Sequence, residues 1–160
     1  MTFITYLSSP LGTLTLGSDG HALTMLRLEK TPPSRELVLR PELALWQPVQ
    51  SWLDRYWAGS DPGPCPLPLQ PSGTDFQKRI WALARKIPYG ETLTYGQLAQ
   101  ETGIPTMSAQ AVGGALGKNP IAILIPCHRV LGSGGRLTGY AYGLEAKKAL
   151  LGLENRGLLK

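Results

Sequence analysis

Ile121-Ala122-Ile123-Leu124-Ile125-Pro126-Cys127-His128-Arg129-Val130 is a run of five mostly branched apolar residues that delivers a cysteine and a histidine just past a proline. A short uninterrupted apolar run reads as a buried segment. Pro126 has no N–H to give to a ladder and ends regular pairing, which sets Cys127 where the chain leaves the core, at the edge of a cavity. An isolated cysteine most often packs as a small hydrophobe. Here a histidine and an arginine follow at once, and nearby positive charge or a paired imidazole lowers a thiol pKa and makes thiolate available. The pattern points to a nucleophile.

Before this run, Lys118-Asn119-Pro120 reads as a turn. Further back, Thr74-Asp75-Phe76-Gln77 and Thr94-Tyr95-Gly96-Gln97 are capping boxes that start helices, the first with an apolar stripe of Phe76, Ile80, Leu83, Ala84 and Ile87, the second ending near Gly103. After Ile104-Pro105, a third helix follows from the spacing of Ala109, Val112, Gly113 and Leu116 toward a core. Its other face, Ser108, Gln110, Ala111, Gly114 and Ala115, is small or uncharged and lets a partner approach closely. Two short helices across a glycine-containing turn make a helix-turn-helix, a pattern shared with many helix pairs inside enzymes.

Charge is divided unevenly along the chain. Residues 1–73 hold 5 Lys+Arg against 6 Asp+Glu, whereas residues 74–160 hold 11 against 5, a balance of +6 in the half that carries the thiol. That concentration favours nucleic acid as a partner. The two cysteines, Cys65 and Cys127, are far apart with unlike neighbours, which gives neither a disulfide framework nor a zinc spacing. His21 sits in an Asp19-Gly20 turn, and no metal is assigned. No apolar stretch is long enough to span a bilayer, and Met1-Thr2-Phe3-Ile4-Thr5 lacks the basic start of a signal peptide; the expected location is the cytoplasm.

In the first half, Phe3 to Leu7, Thr13 to Gly17 and Ala22 to Leu28 read as an antiparallel meander. Leu45, Val49, Trp52, Leu53 and Tyr56 recur at helical spacing, giving a helix over one face of that sheet. Trp46, Trp52, Tyr56 and Trp57 suit core packing better than a base-stacking platform. A proline-rich stretch from Asp61 to Pro68 reads as a stiff connector. The expected architecture is α+β: an N-terminal domain over 1–60 with a small antiparallel sheet and a helix, a connector over 61–73, and a mainly helical C-terminal domain over 74–160 with a winged-helix-like helix-turn-helix.

Asn119-Pro120 followed by Ile125-Pro126-Cys127-His128-Arg129-Val130 closely resembles the active-site signature of the O6-alkylguanine-DNA alkyltransferases, also called methylated-DNA-protein-cysteine methyltransferases. The resemblance runs from about Thr74 to Glu154 and is weak before that. It implies irreversible transfer of an alkyl group from O6-alkylguanine in duplex DNA to Cys127, one event per molecule, with O4-alkylthymine left open as a second substrate. No cofactor is implied. A monomer is expected, reading DNA through the minor groove, with cooperativity on DNA left open. His128 matches the family's general base, acting on the thiol through a water; adjacent residues of an extended chain point apart, which suits such a bridge. Glu154 matches the carboxylate behind the histidine, and Asn119 the support of the active-site turn.

The same resemblance makes Tyr95 the hydroxyl that meets a flipped base, Tyr140 a pocket wall, Ser133 a neighbour of the DNA backbone and Val130 a neighbour of the base's exocyclic amine. Ala141 stands where some members have serine. At the position of the family's intercalating arginine this chain has Gln110, which lacks the planar cationic fork. Arg129 reads equally as a phosphate ligand or a buried ion-pair partner, and Lys147 and Lys148 as phosphate contacts or solvated charges. Three rival readings stand beside transfer: a non-catalytic protein that flags alkylated DNA for another pathway, a cysteine hydrolase, and a thiol-sensing transcription factor.

Overall fold

The computed structural model describes residues 1–155, which divide into two compact units: Met1–Ser72 with Pro120–Ala122, and Gly73–Asn119 with the chain from Ile123 onward. The first unit is built on a four-stranded sheet in the order β3-β2-β1-β4, with β1 Thr2–Ser9, β2 Gly12–Ser18, β3 Leu23–Arg27 and β4 Leu37–Leu39. β1, β2 and β3 form the expected antiparallel meander. β4, three residues long and unmarked by any alternation, joins β1 in parallel register, Phe3 opposite Val38. Helix α1, Trp46–Trp57, packs against the sheet and buries Trp46, Val49, Trp52, Leu53 and Tyr56. Its buried indoles are hydrogen-bonded, Trp46 Nε1 to the Arg40 carbonyl at 2.8 Å and Trp52 Nε1 to the Gly63 carbonyl at 2.9 Å. These aromatics therefore serve the core.

An unpaired edge strand invites unwanted pairing. Here the β3 edge is covered by two short backbone segments of the same unit. Leu23 exchanges hydrogen bonds with Pro68 and Gln70, and Leu26 donates to the Pro120 carbonyl and accepts from Ala122 N–H, both at 3.0 Å. The end of the proline-rich connector and the start of the apolar run before Cys127 are thus sheet-edge pieces of the first unit.

The second unit holds α2 Asp75–Ala84, α3 Tyr95–Glu101, α4 Ala109–Leu116 and α5 Leu144–Glu154, with one parallel strand pair, β5 Leu93–Thr94 against β6 Val130–Leu131. Both capping boxes form: Thr74 and Thr94 each accept from the backbone N–H three residues on, while Gln77 and Gln97 reach back. Ser108 caps α4 by accepting from Ala111 N–H. The helices α3 and α4 pack as a helix-turn-helix across Gly103, whose φ of +72° needs a residue without a Cβ.

Two positions of α4 differ from the sequence reading. Ala109, in the first turn, is exposed, and Ala115 is buried. The cause is Trp81 on α2, which the apolar stripe omitted: it is 1% exposed and its Nε1 donates to the Ala115 carbonyl at 2.8 Å, turning that end of α4 inward. Trp81→Ala should cost about 3–5 kcal/mol, the usual range for emptying a buried aromatic site, read as a fall in the urea midpoint. Among the described residues no helix is long and apolar enough to cross a membrane.

Candidate active site

The apolar run is buried as expected, but only its first residues pair as strand. After Ile121 the chain turns through Ile123, whose φ is +69°, the one non-glycine residue at positive φ among those described. A β-branched residue is unfavourable there, so the conformation must be held by its surroundings. Asn119 supplies one restraint, its Nδ2 donating to the Ile125 carbonyl at 2.8 Å. Pro126 then precedes a 3-10 turn, Cys127–Arg129, so Cys127 and His128 diverge around a helical turn and not along an extended chain as the sequence suggested.

Cys127 lines a cavity of about 510 Å³ within the second unit. α4 contributes Ala109, Gln110, Gly113 and Leu116 along one face, with Gly117 just after its end; α3 contributes Tyr95, and the loop before α5 contributes Thr138 to Ala141. That volume suits a small organic ligand. The glycines keep α4 thin where it borders the cavity, and a Cβ on Gly113 would already lie 3.7 Å from the Tyr95 ring. Tyr95 donates its hydroxyl to the Thr138 carbonyl at 3.1 Å, tying α3 to the opposite wall.

Behind the thiol lies a closed polar cluster. His128 is fully buried, and its Nε2 is 2.6 Å from Glu154 Oε2. The other carboxylate oxygen, Oε1, accepts from Arg129 Nε at 2.6 Å, and Arg129 Nη1 donates to the Ile87 carbonyl at 2.8 Å. Arg129 is therefore a buried ion-pair partner and no phosphate ligand. Burial alone would raise the Glu154 pKa; the hydrogen bond and charge of His128, then those of Arg129, outweigh it and bring it down to about 2. An ionised carboxylate only accepts, so Nε2 carries the imidazole proton and Nδ1 is the basic nitrogen. Burial pulls the His128 pKa below its ordinary value against the opposing pull of Glu154, which favours neutral imidazole.

The thiol itself departs from the sequence reading. Burial pushes Cys127 up to about 12, and a hydrogen bond from the Asn119 side chain and the charge of Lys147 offset only part of that. Desolvation disfavours the anion more than Asn119 and Lys147 favour it, so the resting group is a protonated thiol that needs a base.

Lys147, which the sequence presents as a phosphate contact or a solvated charge, is fully buried. Its Nζ donates to the carbonyls of Thr138 at 2.8 Å and Gly139 at 3.0 Å. Burial brings its pKa down to about 8. The signal was present in its spacing with Leu150, Leu151 and Glu154, all buried on one face of α5. Of the other residues singled out, Tyr95, Gln110, Tyr140 and Ala141 meet around the cavity, and Asn119 sits at the turn before it. Val130 and Ser133 are not among its lining residues: the Val130 side chain is fully buried in β6, and Ser133 is exposed on the loop that follows it. Among the described residues no three His, Cys, Asp or Glu side chains are grouped to hold a metal.

Residues 75–156 match the model of the 6-O-methylguanine DNA methyltransferase DNA-binding domain, and residues 2–71 match that of the same family's ribonuclease-like domain. The likeness therefore extends through the first half, where the sequence reading found it weak. A methylated-DNA–protein-cysteine methyltransferase of Haemophilus influenzae is 45% identical over 154 residues, 95% of this chain and 86% of that protein. The crystal structure of Mycobacterium tuberculosis O6-methylguanine methyltransferase superposes with a TM-score of 0.86 at 43% identity, covering 98% of this chain and 94% of that one. The M. tuberculosis OGT in complex with DNA gives 0.88 at 42% identity, covering 96% and 93%. Fold and site together define a cysteine-dependent transferase built from a ribonuclease-like unit and a helical DNA-binding-type unit. The chain belongs to the 6-O-methylguanine DNA methyltransferase family.

Proposed function

We propose that this protein repairs DNA by direct reversal, taking the alkyl group of O6-alkylguanine onto Cys127 once and irreversibly. The observation that carries this reading is the position of Cys127, which lines an aromatic-walled cavity with a buried His128–Glu154 pair behind it. A base inside a duplex cannot reach a buried thiol, so the lesion base must be flipped into the cavity. Tyr95 and Tyr140 then flank it. His128 Nδ1 takes the thiol proton through a bridging water, and Glu154 stabilises the imidazolium. Sγ attacks the alkyl carbon as the C–O6 bond breaks; its electron pair stays on guanine, which takes a proton at N1 from water, while the His128 imidazolium returns the thiol proton to water. Tyr95 stabilises the charge that builds on the leaving base, and Asn119 steadies the turn that carries the thiol.

A thioether has no ready leaving group, so each molecule acts once and needs no cofactor. In this reading the small-residue face of α4 enters the minor groove, where close approach matters more than base readout, and the protein works as a cytoplasmic monomer. The test is to mix it with duplex DNA carrying O6-methylguanine and weigh the peptides. One methyl on the Cys127 peptide, saturating at one equivalent, is expected; lesion binding with no gain in mass would turn the reading to lesion flagging.

Gln110 lines the cavity and is exposed, where the family pattern has an intercalating arginine. Glutamine fills space but lacks the cation that favours phosphates and stacked bases. Gln110→Arg should therefore raise the single-turnover rate on duplex DNA by about tenfold, equivalent to about 1.4 kcal/mol off the barrier. A rate that stays level or drops would show that Gln110 does not limit extrusion.

A further inference from the structure

Neighbours on one 3-10 turn, His128 and Arg129, grip opposite oxygens of a single carboxylate whose side chain is 1% exposed. We infer that Arg129 is a positioning residue for alkyl transfer: its guanidinium, braced on the Ile87 carbonyl, locks Glu154 in one orientation as an anion, which forces the His128 proton onto Nε2 and leaves Nδ1 as the base. This deepens the transfer reading and rests on it.

The bracing is built from three directions. Nε engages Oε1 at 2.6 Å, Nη1 engages the Ile87 carbonyl at 2.8 Å, and the guanidinium lies 5.8 Å from the centre of the Tyr89 ring. The carboxylate also meets the imidazole, at 2.6 Å through Oε2, and the Gly90 N–H, which donates to Oε1 at 3.4 Å. Without Arg129, the Glu154 carboxylate would lose its cationic partner and keep His128 with the long Gly90 N–H contact at 3.4 Å, and the His128–Glu154 pair would hold a proton between them to higher pH. The charged groups acting on His128 are Glu154 and Lys147 from α5 and Arg129 from its own turn, while Cys127 on that turn diverges from it. Arg129 thus acts in two ways with one sign: it engages the carboxylate, and its own charge opposes the imidazolium. Both keep the imidazole neutral, the form that can accept the thiol proton.

Only two histidines are present, so the His128 ring can be followed by NMR once His21 is replaced. In Arg129→Met the His128 titration midpoint is expected to rise by about one pH unit, and the acid limb of the single-turnover methyl-transfer profile to rise with it, giving about a tenfold slower reaction on that limb. Arg129→Lys keeps the charge and loses the fork, so it should fall between the two. A part played in folding alone would lower the folded fraction and scale the rate equally at every pH. A folded Arg129→Met whose midpoint and acid limb coincide with those of the parent would overturn the inference. Should that variant not fold, Arg129→Lys carries the test, and coincidence with the parent there has the same meaning. The two arms also separate the readings: a parent protein that transfers no methyl overturns the proposed function, while the ring titration still reports on the Arg129–Glu154–His128 coupling.

Discussion

Cys127→Ser is expected to abolish methyl acceptance while leaving a folded protein that still binds lesion-bearing duplex DNA. The exchange preserves shape and lets a hydroxyl accept the Asn119 hydrogen bond that the thiol accepts now, so its cost to stability should stay below about 1.5 kcal/mol, as for other near-isosteric changes in a packed site. Chemistry is another matter. His128 must take the proton, and its basicity is held below the ordinary imidazole value by burial. It is matched to a thiol far better than to a hydroxyl, whose anion lies many pH units higher still. The rate should fall by on the order of 10⁶-fold, the scale seen when an enzyme loses its nucleophile. Intact and peptide masses after incubation with the methylated duplex check this, alongside a thermal midpoint. If a methyl still arrives, either on that peptide or on the half-buried Cys65, Cys127 is not the acceptor.

What the sequence made legible was local. The capping boxes at Thr74 and Thr94 need only four residues each, and both form. Alternation and turn residues were enough to draw the meander, but not β4, because Leu37–Leu39 is too short to show a period and its place is set by β1. The faces of α4 were blurred by its glycines and alanines: burial of Ala115 is decided by Trp81, thirty-four positions away, through a carbonyl that no side-chain pattern records. The divergence of Cys127 and His128 was foreseen, but as strand geometry; the 3-10 turn after Pro126 depends on the left-handed turn at Ile123, a residue type that gives no such warning.

The electrostatics of the site were harder to read than its membership. A cysteine beside a histidine and an arginine looks activated, yet Arg129 faces Glu154 and Ile87, and burial governs the thiol. Lys147 and Lys148 are adjacent and chemically alike; one is fully buried against the carbonyls of Thr138 and Gly139, the other exposed. Their difference lies in the phase of α5, where Lys147 shares the apolar face. A lysine on such a face is best read as a buried donor awaiting acceptors, and here the acceptors form the wall of the cavity.

Glu154→Gln should damage stability and chemistry together, and pH separates the two. The Glu154 carboxyl titrates at about 2 in the folded protein, against 4.5 as the reference value. A group whose pKa is lower when folded releases its proton more readily in the native state, so its contribution to stability is fully present above the unfolded pKa and is lost as pH falls through the folded one. The window is therefore pH 4.5 down to about 2, and at 1.36 kcal/mol per pH unit the carboxylate contributes roughly 3 kcal/mol at neutral pH. Glutamine removes that charge and leaves the Arg129 guanidinium buried without its counter-ion, a change that typically costs about 3–5 kcal/mol. Urea unfolding should show the variant less stable by roughly that amount at pH 7, with the gap to the parent closing as pH falls through the window. In the fraction that remains folded, methyl transfer should slow by about 10²- to 10⁴-fold, the range for losing assisted proton transfer, because a neutral amide can neither fix the Nε2–H tautomer unambiguously nor stabilise the imidazolium. Parallel stability profiles for parent and variant across that window would mean that the carboxylate is not held ionised by its partners, and the relay built on it would fall with that result.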